Sequence, residues 1–195
     1  MAVLVSIWKQ NAWIVRLSLI WVFLYPLLGM MQRDRAEEIA KQFVKVNSDE
    51  IIRLSAKPSM GNITLWKIIY ETKTHFYVDA IRIGVFQSKD KAKYFEGDRV
   101  KKLDLNKDYL WLDRTTQQAK DIERFRHFSN DFLAIDPTHQ NRIFDIRYSM
   151  LPNEIQSLWA IELNPNASVD DYVKYMVHRD VSRKKREMFM EMLLP

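Results

Sequence analysis

The chain contains no cysteine and few of the residues that interrupt regular structure. Its 195 residues include four glycines and six prolines. Without cysteine the chain can form no disulfide, offer no thiolate to zinc and use no thiol nucleophile. The absence is compatible with either redox compartment, so it limits the chemistry and not the location.

A strong excess of one charge is also missing. Lys and Arg number 30 against 25 Asp and Glu, a formal net charge of +5. This excess is too small and too interspersed to predict nucleic-acid binding. Only residues 179–186 are densely basic. We interpret them as a solvated helix face, with a contact to lipid head groups or nucleic acid as the alternative.

The common catalytic and cofactor-binding motifs are absent too. No nucleophile elbow, phosphate loop or dinucleotide fingerprint occurs. The four histidines form no His-x-His, His-x-x-x-His or His-Glu-x-x-His pair, and they are far apart in the chain: His75, His127, His139 and His178. We therefore expect no metal site and no cofactor within this chain.

What the sequence does contain is one long apolar run, residues 12–31, with Arg16 as its single charge. A helix of this length is about 30 Å long, which matches the hydrocarbon core of a bilayer. We predict a transmembrane anchor, and hence the lipid bilayer as a partner. A cleaved signal peptide is the alternative, but residues 28–32 lack the small-x-small pattern that cleavage needs.

This anchor divides the chain into four parts. Residues 1–11 form a short tail, 12–31 the anchor, 32–48 a juxtamembrane helix of strong helix formers, and 49–195 a soluble domain. Counting Lys and Arg beside the anchor favours a cytoplasmic domain, but long domains translocate largely regardless of charge. We expect the N-terminus inside and the domain outside, in the periplasm.

From Ile51 onward the apolar residues alternate with a period of two, which is typical of strands. The predicted strands are 51–57, 64–70, 76–83, an edge strand around 85–86, 132–135, 141–150, 159–163 and 172–177. The predicted helices are 115–129 and 183–193, the second capped by Ser182. The fold class is therefore α+β: a transmembrane helix, then an antiparallel sheet domain with two or three packing helices on one face.

The best candidate site is a polar group near the end of the 141–150 strand. Asp145 and Arg147 share one face, where they can meet each other or a ligand. A structural ion pair on the solvated face is the simpler interpretation. If helix 115–129 covers that face, Asp145 could instead pair with Arg124 or Arg126. Asn153 and Glu154 follow closely in a turn.

Four blocks of sequence resemble one family. They are KPSMGNITLW at 57–66, FYVDA at 76–80, DIERFRHFS at 121–129, and DIRYSMLPNEI at 145–155 followed by Leu158 and Trp159. Together they resemble the C-terminal region of bacterial inner-membrane metal-dependent hydrolases, a family that includes LexA-binding membrane hydrolases. The resemblance extends from the anchor to Asp180.

The resemblance implies a bacterial inner-membrane protein related to a hydrolase. Family members carry a multi-helix membrane bundle before this region, and their metal-binding His-Arg-x-x-Thr-His-Ser segment lies in that bundle. This chain begins at the segment that resembles the last helix of the bundle. The family's metal ligands therefore do not transfer, and a divalent metal is expected only with the missing N-terminal portion.

Three hypotheses follow. In the first, this is the anchored domain of a truncated or split hydrolase that works with a separate membrane-bundle chain. Its ligand-binding surface would use positioning groups: Trp66, Asp145, Arg147, Asn153 and Glu154. The second is a non-enzymatic membrane or envelope interaction module. The third is a self-sufficient enzyme in which His127 acts with Asp145 or Glu154.

Overall fold

The structure is a computed structural model that describes residues 12–43 and 51–194. It begins with one continuous helix, α1 (Ala12–Phe43), which contains both the predicted anchor and the start of the predicted juxtamembrane helix. Within α1 an 18-residue window has a mean hydropathy of 1.9, and none of it is buried by the rest of the protein. The described chain thus has one helix long and apolar enough to cross a membrane. The tail 1–11 and positions 44–48 lie outside the described residues.

Within residues 51–194, nine strands form two antiparallel sheets. The first sheet has the order β1-β2-β3-β4, with β5 also paired to β3; its strands are β1 (Arg53–Pro58), β2 (Leu65–Glu71), β3 (His75–Arg82), β4 (Lys93–Phe95) and β5 (Arg99–Lys101). The second has the order β6-β7-β8-β9; its strands are β6 (Leu133–Asp136), β7 (His139–Asp145), β8 (Trp159–Glu162) and β9 (Lys174–Val177).

In the same described range, 51–194, there are also four short helical segments. They are a 3₁₀ turn (Lys89–Lys91), α2 (Leu105–Asp108), α3 (Gln117–Ser129) and α4 (Arg183–Leu193). The Ser182 side chain accepts a hydrogen bond from Lys185 N, which confirms the predicted cap. The α+β class with an antiparallel sheet domain and further helices is also confirmed, although the strands divide between two sheets.

One predicted strand is absent, and another was predicted too long. Residues 85–86 form a turn and not an edge strand, because Gln87 N donates to Gly84 O at 3.1 Å and closes the chain on itself. The predicted strand 141–150 ends at Asp145. There the Asp145 carboxylate accepts the Arg147 N–H at 3.0 Å, which turns the backbone away from the sheet.

The two sheets pack face to face between two helices. One face of the first sheet, with Trp66 and Ile68, packs against Ala36, Ile39 and Ala40 of α1. Its other face meets the second sheet through a shared core. The outer face of the second sheet is covered by α3. We call the two sheets together the sandwich. The helix α1 covers the outer face of its first sheet, and α3 covers the outer face of its second sheet.

The last helix closes one side of the sandwich. Met192 of α4 packs with Leu65, Ala80 and Leu151, so it touches both β2 and the segment that follows β7. Arg82, at the end of β3, donates to Leu194 O. This docking brings the basic helix α4 next to the candidate site described below.

Candidate functional site between the two sheets

A buried lysine lies at the centre of the polar group. Lys67 is on β2, on the face turned away from α1, and its exposed fraction is only 3 %. Its ammonium donates to Ser149 Oγ and to Glu154 O, each at 2.7 Å. Burial lowers the pKa of Lys67 to about 7, although the negative charges of Asp145, Glu154 and Asp98 oppose that shift. Lys67 can therefore exchange a proton near neutral pH.

Asp145 and Arg147 form a forked ion pair beside this lysine. Asp145 is fully buried. Arg147 Nη2 donates to Asp145 Oδ2 at 2.7 Å, and Arg147 Nε lies 3.0 Å from both carboxylate oxygens. A buried carboxylate needs such a fork, because an unpaired buried charge is strongly destabilising. Arg124 and Arg126 pair elsewhere, with Asp121 and with Glu123 and Asp131.

A second ion pair joins the site to the last helix. Lys185 of α4 donates to the carboxylate of Glu154. Both side chains are mostly buried, with exposed fractions of 17 % and 22 %. Nearby, Ile155 N donates to Asp98 Oδ2 at 3.2 Å, which ties the turn to the loop before β5. We call the set Lys67, Asp145, Arg147, Ser149, Glu154 and Lys185 the Lys67 cluster.

The structure brings together only some of the residues named from sequence. Asp145, Arg147 and Glu154 belong to the Lys67 cluster. Asn153 adjoins it, but its amide donates to Glu96 O at 3.1 Å. Trp66 faces α1 on the opposite side of the sheet, where it is 2 % exposed and donates from Nε1 to Ile63 O.

His127 lies apart from these groups. It is exposed on α3, in the layer outside the second sheet. Among the described residues, no hydrogen bond or ion pair connects His127 with Asp145 or Glu154. The pairing expected for a self-sufficient enzyme is therefore not formed in this structure.

Sequence reasoning missed Lys67, Ser149 and Lys185. For Lys67 the sequence did contain a signal, because the lysine interrupts a mostly apolar strand, LWKIIYE. The structure shows that all seven residues of this strand are buried. A charge within a strand buried on both faces needs a built polar partner. Nothing local marks Ser149 or Lys185, which reach the site only through the packing of a turn and of α4.

A cavity of about 440 Å³ borders the Lys67 cluster at Glu154. Phe144 and Ala160 provide apolar surface, and polar groups surround them. Its ionisable lining residues are Asp98, Asp136, His139, Arg142, Glu154 and His178. A small polar ligand with an apolar part would suit such a lining. A larger cavity, of about 600 Å³, lies near the β2–β3 turn, and several of its basic side chains already pair with acids.

Chemically, the cluster offers an amine that titrates near neutrality beside a hydroxyl, and two cations held by carboxylates. Within residues 12–43 and 51–194, no group of three His, Asp or Glu side chains is arranged to hold a metal ion. The chain matches no protein-family model, no curated protein and no solved structure.

Proposed function

We propose that this chain is a single-pass protein of the bacterial inner membrane, and that its sandwich is the accessory domain of a metal-dependent hydrolase. The continuity of α1 carries the membrane part of this proposal, and the resemblance of the four sequence blocks supports the hydrolase part. The apolar segment continues as helix without a break, and within the next three turns Ala36, Ile39 and Ala40 are buried against the first sheet. The anchor thus holds the sandwich rigidly at the membrane surface.

In this role the domain positions a substrate or a partner chain and leaves bond cleavage to a metal centre elsewhere. The paired charges of the Lys67 cluster support a positioning role, since forked and paired ions fix side chains in one geometry. Of the residues expected to orient the ligand, Glu154 lines the 440 Å³ cavity and Asn153 adjoins it in the chain. Asp145 is fully buried and would act with Arg147 as support behind that surface. The partner would be a membrane-bundle chain that carries the hydrolase metal ligands.

Membrane integration is tested first. In bacterial membranes the full chain should resist extraction by alkaline carbonate, as an integral protein does. C-terminal fusions to alkaline phosphatase should be active and fusions to green fluorescent protein dark, because we place the domain in the periplasm. Release by carbonate would contradict the anchor, and the reverse fusion pattern would move the domain to the cytoplasm.

The accessory role is tested by metal content. The full chain purified alone in detergent should hold less than a stoichiometric amount of zinc or manganese. Co-expression with a bundle chain that carries the His-Arg-x-x-Thr-His-Ser segment should yield a complex with bound metal. Stoichiometric metal on the chain alone, lost in His127→Ala, would contradict the proposal.

One contact favours a second candidate, a hydrolase that uses Ser149 as its nucleophile. Lys67 Nζ lies 2.7 Å from Ser149 Oγ, and an amine with a pKa of about 7 can act as a general base. Neutral Lys67 would take the hydroxyl proton as Oγ attacks an ester carbonyl, and return it to the leaving alcohol. Water would then hydrolyse the acyl-enzyme. The hydroxyl now donates to Leu151 O, so it must first rotate.

Hydrolysis of a chromogenic ester by the detergent-solubilised chain decides this candidate. Ser149→Ala should remove at least nine-tenths of the rate, whereas Ser168→Ala, on an exposed loop, should keep it. An equal rate in both variants, or no rate in the parent chain, would exclude it.

A further inference from the structure

One end of the sandwich lies beside the part of α1 where the apolar run ends. A Cβ atom added at Gly29 would lie 3.9 Å from the side chain of Ile63. The amide of Gln32 donates to Ile63 O at 3.3 Å and to Ile83 O at 3.2 Å. Two loops at this end, the turn 59–63 and the turn 84–87, are therefore fixed beside residues 29–35.

The first of these loops reaches further back along the helix. A groove of about 470 Å³ lies between the turn 59–63 and a helix surface that includes Tyr25, Pro26 and Met30. Pro26 precedes the end of the apolar run by five residues, about 8 Å of helix. If residues 12–31 span the hydrocarbon, this loop stands at or within the head-group layer.

Both loops carry a large apolar side chain at an exposed position. Met60 has an exposed fraction of 68 %, and Phe86 is fully exposed. The turn that bears Phe86 is held in place from α1, because Arg35 Nη1 donates to Val85 O at 2.9 Å. Transfer of this unpacked phenylalanine from water into an apolar phase would be favourable, and a turn that is already held in place would lose little freedom in that transfer.

We propose that this end of the sandwich, defined by the turns 59–63 and 84–87, docks on the bilayer that α1 crosses. Met60 and Phe86 enter the head-group layer, and the occupant of the docking surface is phospholipid. The inference rests on the proposed membrane span of α1. It adds a second attachment, which would fix the orientation of the sandwich as well as its distance from the membrane.

The absence of native cysteine allows a direct test with one label per chain. Met60→Cys and Phe86→Cys place an environment-sensitive fluorophore at the proposed contacts. Lys73→Cys places it in the β2–β3 turn, at the opposite end of the same strands and exposed. The seven residues of β2 separate the two ends by roughly 20 Å. Leu24→Cys, in the apolar run, reports on the span itself.

Each labelled full chain is reconstituted in vesicles of phosphatidylcholine and phosphatidylglycerol, with lipids spin-labelled at the head group or deep in the acyl chain. We expect head-group quenching at positions 60 and 86 to exceed that at 73 by at least twofold, and deep quenching at 24. Equal quenching at 60, 86 and 73 with deep quenching at 24 would overturn the docking alone. No deep quenching at 24 would overturn the proposed span as well.

Contact between copies is the competing occupant, and dilution separates it. Lipid docking predicts that the emission of the label at Phe86→Cys stays the same when the lipid-to-protein ratio rises tenfold. A return of that emission to the value at Lys73→Cys would show that a second copy covers the surface, and would overturn the proposal. Since Phe86 is fully exposed, the substitution removes no core contact, and an unchanged far-ultraviolet circular dichroism spectrum checks the fold.

Discussion

At the scale of single residues, Lys67 shows how this fold keeps a charge-bearing group between two sheets. Its ammonium has two oxygen acceptors at 2.7 Å but no carboxylate within ion-pair distance among the described residues. Burial therefore outweighs the attraction of the nearby acids, and the pKa of Lys67 falls to about 7. The group is a source of pH dependence as well as a site residue.

This pKa gives the stability a defined dependence on pH. Unfolded Lys67 titrates near its usual value of about 10.4, so between pH 7 and 10 the unfolded chain binds more protons than the folded chain. The stability of the sandwich should therefore increase with pH over this range, by up to about 1.4 kcal/mol per pH unit. Lys67→Met should flatten the increase between pH 7 and 9. Urea unfolding of the full chain in detergent measures both slopes, and equal slopes would show that Lys67 is not the source.

A glycine lets the loop between β4 and β5 lie against the turn that follows β7. A Cβ at Gly97 would lie 2.1 Å from Asn153 O and 2.2 Å from Val78 O, both of them backbone atoms that cannot move aside. Gly97→Ala should destabilise the sandwich by about 2 kcal/mol or more. Gly29→Ala, where the nearest atom is 3.9 Å away, is the matched control. A similar urea midpoint for both variants would contradict this account.

At the scale of elements, the alternation of apolar and polar residues predicted where strands lie but not where each strand ends. The hairpin of β2 and β3 is confirmed, because β-branched and aromatic residues fill both strands. The strand after residue 141 was predicted too long, because its alternation of apolar and polar residues continues past the turn made by Asp145 and Arg147. The hydrogen bond from Arg147 N to the Asp145 carboxylate ends the strand without changing the alternation of residue types, so the alternation could not reveal the end of the strand.

The same scale explains how α1 is fixed to the sandwich. Its contact face contains Ala36 and Ala40, both almost fully buried, which lets the helix backbone approach the sheet closely. Ala36→Leu should therefore overpack the contact and destabilise the sandwich by about 1 to 3 kcal/mol. Lys41→Leu, on the exposed side of α1, should have little effect. The urea midpoints of the two variants test this, and equal midpoints would mean that α1 does not pack where described.

At the scale of the whole molecule, the α+β class could be predicted but the division into two sheets could not. Alternation gives each strand a buried face without saying which strand lies beside it. The Lys67 cluster depends on that division, because its members come from β2, from the end of β7 and the segment after it, and from α4. Asp145, Arg147 and Glu154 were found from sequence because they are neighbours in the chain. Lys67 and Lys185 were missed because only the three-dimensional packing brings them there.

The account as a whole depends on α1 crossing the bilayer and then packing on the outer face of the first sheet. Alkylation of single cysteines by a membrane-impermeant maleimide, in intact and in detergent-dissolved vesicles, tests this most directly. We predict that Ile20→Cys reacts only after detergent is added, whereas Lys41→Cys reacts without detergent in vesicles that expose the domain. Reaction of Ile20→Cys in intact vesicles, at the rate of Lys41→Cys, would show that the apolar helix lies in water and would contradict the account.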